Sequence, residues 1–125
     1  MYLALLGFSL IEVLISLLLL SFILLGFDAT EIYSIRSSRA AYYLDIANTQ
    51  INNMSERLGM LENYSDISSQ MTIWNNENQI VLPQGRGQVI GHFPDYTIII
   101  YWGNIQSCAS NQIGSSGCIS QHLIL

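Results

Sequence analysis

Gly7-Phe8-Ser9-Leu10-Ile11-Glu12-Val13-Leu14-Ile15 opens an apolar run that continues to Phe27 and holds one carboxylate, Glu12. No other charged side chain occurs before Asp28. About twenty apolar residues at ~1.5 Å each cross a bilayer core of ~30 Å. A charge inside such a segment costs ~2.5–3.5 kcal/mol at the centre of an inserted helix, and a position near its start softens that cost without removing it. The run therefore predicts a membrane helix whose carboxylate needs a cation from elsewhere. It is longer than the ~7–15-residue apolar core of a cleaved signal peptide, and no A-x-A site follows it.

The helical pattern outlasts the membrane segment. Residues 8–58 contain no proline and a single glycine, Gly26. Ile32, Ile35, Ala40, Tyr43, Leu44, Ala47, Ile51, Met54 and Leu58 draw one apolar stripe at steps of mostly three and four. Glu31, Arg36, Arg39, Asp45, Asn48, Asn52, Asn53 and Glu56 occupy the other side. One helix of about fifty residues, ~75 Å long, is predicted, lipid-facing first and amphipathic afterwards. Gly59 is a C-cap candidate behind Arg57, a cation suited to the last turn. Ser9, Ser16, Ser21 and Gly26 are small enough to let helices approach closely in a membrane or bundle.

Residues 62–69 are polar and read as a loop. Strand candidates follow at 71–74, 79–82, 87–90 and 96–102. The last, Tyr-Thr-Ile-Ile-Ile-Tyr-Trp, is aromatic and β-branched throughout, as a strand buried on both faces would be. Gly85-Arg86-Gly87 and His92-Phe93-Pro94-Asp95 supply turns, and connections this short leave room only for antiparallel pairing. Residues 111–117 are rich in Gly and Ser and read as an exposed loop. Cys108 and Cys118 span it, and in an exported domain they most simply form one disulfide. A loop this short gains slightly less than the ~3 kcal/mol of a fifteen-residue one. Two free cytosolic thiols are the competing reading.

Composition excludes several functions. The 125 residues carry a net charge of −5, with four Arg and no Lys. Phosphate binding needs clustered cations, so direct nucleic-acid binding is not expected. His92 and His122 stand alone, no G-x-S-x-G elbow surrounds Ser115 and Ser116, and Asp66, Glu77 and Asp95 lack calcium-loop spacing. Neither catalysis nor a metal or other cofactor is expected. Asn63-Tyr64-Ser65 matches a glycosylation sequon, a pattern that arises readily by chance. Trp74, Tyr101 and Trp102 could stack on a ligand but are more simply core residues.

The Gly7–Phe8 junction, with Glu12 four residues beyond it inside an apolar run, resembles the N-terminus of type IV prepilins and the related pseudopilins of type II secretion. The resemblance implies that a membrane prepilin peptidase cuts between Gly7 and Phe8 and that the new amine of Phe8 is methylated. It implies that Glu12 neutralises the amine of a neighbouring subunit, which would answer the missing cation. Arg39-Ala40-Ala41-Tyr42-Tyr43, Ile51-Asn52-Asn53-Met54-Ser55-Glu56-Arg57-Leu58 and Leu82-Pro83-Gln84-Gly85-Arg86-Gly87, followed by a strand ending in Trp102, are similar to PilV-type minor pilins. Two features depart from the family: the segment before Gly7 has no Lys or Arg, and no helix-bending proline follows the membrane run.

An α+β pilin fold is thus implied: a long N-terminal helix, membrane-spanning in its first half, packed by its second half on a small antiparallel sheet. The implied organisation is a leader at 1–7, a transmembrane part at 8–27, a periplasmic amphipathic part at 28–58 and a β domain at 59–125. Positive-inside bias alone, with Arg36 and Arg39 after the run, would place the C-terminal part in the cytoplasm; the cysteines and the motif imply the periplasm. Implied partners are major and minor pilins, the prepilin peptidase, the inner-membrane assembly machinery and, before assembly, lipid. A minor pilin of a type IV pilus is the leading expectation. A minor pseudopilin of a type II secretion system and a membrane-anchored adhesin or binding module are the alternatives.

Overall fold

A computed structural model describes residues 9–61, 66–105, 107–108 and 116–125. Its elements are α1 (Leu10–Met60), α2 (Ile67–Val81), β1 (Arg86–His92), β2 (Asp95–Trp102) and β3 (Gly117–Ile124). The three strands form one antiparallel sheet in the order β1-β2-β3. The chain divides into two compact units at Ile35/Arg36. In the first, α1 is a lone helix with an exposed surface. In the second, the C-terminal half of α1 packs on the sheet, the α+β layout expected.

Sequence period explains how the second unit is filled. Ala47, Gln50, Ile51, Met54 and Leu58 recur at steps of three, one and four, so one stripe of α1 is buried. From β2, Tyr96, Ile98, Ile100 and Trp102 alternate into the same core, and Leu82 joins them. Thr97, Ile99 and Tyr101 are only half-buried. The expectation that β2 is buried on both faces is therefore corrected: helices cover one face, and the described residues leave the other partly open.

The strands expected at 71–74 and 79–82 do not form; both segments lie largely in α2. Met71-Thr72-Ile73-Trp74 has strand composition, but Ile67, Met71, Trp74, Asn78 and Leu82 fall at steps of four, three, four and four. Trp74, Asn78 and Leu82 are fully or almost fully buried, while Ile67 and Met71 pack against the core. Tertiary burial of that face overrides the local preference. The loop expected at 62–69 does not extend to Ser69, because α2 begins at Ile67; residues 62–65, with the whole of the sequon, lie outside the described residues.

Gly59 sits inside the last turn of α1 instead of beyond it. The helix closes through Leu61 N–H donating to Leu58 O at 3.3 Å. The turn before β1 falls on Pro83-Gln84, and Arg86 and Gly87 belong to the strand. The turn at Phe93-Pro94 is as expected and contains a cis peptide bond. β3 has no counterpart among the expected strands. Its Gly-Cys-Ile-Ser-Gln-His-Leu-Ile has little β-branched content, so its strand conformation comes from pairing with β2.

Two glycines are fixed by close approach. A Cβ on Gly87 would enter the six-membered ring of Trp74, and one on Gly117 would enter the ring of Trp102. Each indole therefore lies against bare backbone, which only glycine permits.

Candidate functional site

The site built by the N-terminal stretch is a surface. Leu10, Ile11, Val13, Leu14, Ile15, Leu17 and the apolar residues that follow to Phe27 are all about half exposed or more. The stretch reaches a mean hydropathy of 2.7 with none of its window buried, so by length and composition it can cross a membrane. Each such side chain gains about 1.5–3 kcal/mol on leaving water, so covering the set is worth tens of kcal/mol. Two hydroxyls in and beside it are satisfied by their own helix: Ser21 Oγ donates to Leu17 O (2.8 Å) and Thr30 Oγ1 to Phe27 O (2.8 Å). That removes most of the penalty for taking them into lipid.

Glu12 stands in the first turn of α1 and is exposed. Ser9 O accepts from Glu12 N–H (2.9 Å) and Val13 N–H (3.2 Å), which starts the helix. Among the described residues no donor or cation meets the Glu12 carboxylate. In sequence the first cationic side chain after it is Arg36. The helix N-terminus favours a carboxylate by ~0.3–1 kcal/mol, less than the ~2.5–3.5 kcal/mol that a charge costs deep in an inserted helix. The difference is what an external cation would offset. Gly7 and Phe8, the expected cleavage and methylation positions, lie outside the described residues.

The second unit is held by contacts that its sequence does not advertise. Arg57 Nη2 donates to both Glu77 oxygens (2.7 and 2.8 Å), tying α1 to α2. Trp74 Nε1 donates to Gln50 O at 2.9 Å. Asn75 grips Gly87 from both sides: Gly87 N–H donates to Asn75 Oδ1 (2.6 Å), and Asn75 Nδ2 donates to Gly87 O (3.1 Å). None of these pairs is near in sequence, and no residue type singled them out. Cys108 and Cys118 are bonded, with Cα atoms 5.2 Å apart.

Trp74 and Trp102 are core residues, and Tyr101 is half-buried on the open sheet face. His92 and His122 are exposed; His122 Nε2 lies 3.9 Å from Asp95 Oδ1. A polar concavity of about 460 Å³ is lined by Gln79, Gln84, Gly85, Arg86 and Asn104. Its guanidinium already donates to Ile105 O at 2.8 Å. An apolar one of similar volume lies among Leu58, Gly59, Leu61, Ile67, Phe93, Tyr96 and Leu125. Neither contains Glu12 or the cysteines. Comparison with protein-family models, with curated proteins and with solved structures returns no match for this chain.

Proposed function

We propose that the chain is a minor-pilin-like structural subunit: a membrane-anchored protein that moves its N-terminal helix from bilayer to the core of a type IV pilus. The observation that carries this reading is Glu12, exposed in the first turn of an uncovered apolar helix with no cation from its own described residues. An apolar helix moving from lipid into a bundle of apolar helices gains little net energy, so one charge pair can select register. The proposed counter-ion is the amine of Phe8 in a neighbouring subunit, freed by cleavage after Gly7. The disulfide between Cys108 and Cys118 suits a periplasmic, oxidising location.

Intact-mass analysis of the membrane-bound chain tests the processing step. The expected mature protein lacks residues 1–7 and carries one added methyl; a chain still beginning at Met1 in the presence of its own peptidase rejects it. The assembly step is tested with Glu12→Val. Removing the carboxylate eases insertion and leaves the second unit folded, so the expected loss is confined to the amount of subunit in sheared filaments relative to membrane. Equal ratios for wild type and variant would favour a plain anchored domain.

A further inference from the structure

We infer that Ser16 completes the cation site of Glu12, an inference that rests on the assembly contact proposed above. The Ser16 hydroxyl accepts a second N–H of the amine that a neighbouring subunit presents to the Glu12 carboxylate. Glu12 and Ser16 both lie on α1 within the first compact unit, and both are exposed.

One carboxylate does not satisfy that amine. Bearing one methyl it is a secondary ammonium with two N–H groups; without the methyl it has three. These N–H bonds diverge at about the tetrahedral angle, whereas the two oxygens of a carboxylate subtend only roughly 45° at hydrogen-bond distance, so Glu12 takes one of them with good geometry. In water the surplus donor would be solvated. Between apolar helices it needs an acceptor, because an unmet polar group there is costly.

Helix geometry supplies that acceptor. At ~100° per residue, Ser16 lies about 40° round α1 from Glu12 and one turn further on, the spacing at which side chains meet. Ser21 falls about 180° from Glu12 by the same count, and its hydroxyl donates to Leu17 O at 2.8 Å. Apart from these two serines, residues 13–27 hold no hydrogen-bonding side chain. The order of the pair fits as well. On a helix, a Glu is best placed four residues before the cation it meets, so an ammonium between residues 12 and 16 sits where a lysine at 16 would carry its own. A serine that donates to its own helix, as Ser21 does, keeps its oxygen lone pairs, so Ser16 can do the same and still accept. Being neutral, it adds an acceptor without the insertion cost of a second charge.

The test measures the amount of this subunit in sheared filaments relative to membrane, in the cells that make it. Ser16→Ala should lower that ratio about tenfold, the effect of losing one hydrogen bond to a charged group. Ser16→Thr keeps the hydroxyl and should restore the ratio, and Ser21→Ala, on the opposite side, should leave it unchanged. Membrane amounts and the bond between Cys108 and Cys118 should be alike in all, since Ala suits both helix and lipid. Glu12→Val is measured alongside. If it leaves the ratio unchanged, the assembly role of Glu12 fails and that of Ser16 with it. If Glu12→Val lowers the ratio and Ser16→Ala does not, only the role of Ser16 is overturned. An equal fall for Ser16→Ala and Ser21→Ala, or no recovery with Ser16→Thr, would also overturn it, because either result would make the serine a matter of helix packing.

Discussion

Gly87→Ala should destabilise the second unit, although adding a methyl to a strand glycine ordinarily helps. At an unstrained position that change restricts the unfolded chain and gains ~0.4–1 kcal/mol. Here the new Cβ meets the Trp74 ring, which is fully buried and anchored by its hydrogen bond to Gln50 O. The strand cannot recede freely, because Asn75 holds Gly87 by two hydrogen bonds of 2.6 and 3.1 Å. Overpacking of a held core costs ~1–3 kcal/mol. For a unit of this size each kcal/mol moves the midpoint by about 4–8 °C, so a fall between about 4 and 24 °C is expected. The assay is thermal unfolding of the detergent-solubilised full chain, followed by circular dichroism. Trp74→Leu costs stability by itself but makes room, so the double variant should be less destabilised than the two single changes added together. A rise in midpoint for Gly87→Ala, or strict additivity, would refute the contact between α2 and β1 on which the reasoning rests.

Asn78 is fully buried and its side-chain amide meets no hydrogen-bond partner among the described residues. Asn78→Leu, of similar size, should therefore raise stability by about 1–3 kcal/mol, read as a higher denaturant midpoint. Glu77→Gln should lower stability by no more than about 1 kcal/mol, because the pair with Arg57 is bidentate but 28% and 38% exposed; high salt should shrink the difference. Reducing the bond between Cys108 and Cys118, ten residues apart, should lower the midpoint by the equivalent of about 2.7 kcal/mol, while Cys108→Ser should be insensitive to reductant.

Features carried by local chemistry were legible in the chain. The uninterrupted apolar run and the three-and-four stripe set the type and almost the bounds of α1, since both need only the period of a helix. The strand character of β2 and its turn at Phe93-Pro94 were equally local, as was the singular position of Glu12, whereas the one-sided burial of β2 was not. The stretch 71–82 failed because two periods compete within it. Ile73 and Trp74 suit a strand, and only the burial of Trp74, Asn78 and Leu82 against α1 and the sheet selects the helix. β3 failed for the opposite reason: its own residues state almost no preference.

By itself the sequence determined an apolar helix long enough to cross a membrane with one carboxylate near its start, an amphipathic continuation and a central strand, because propensity and period act over a few residues. Tertiary structure alone decided that 67–81 is helical and that 117–124 completes the sheet. It also joined Asn75 to Gly87. These depend on contacts between residues 12 to 24 positions apart, or on the pairing of β2 with β3. Their energy appears only once the chain has closed on itself.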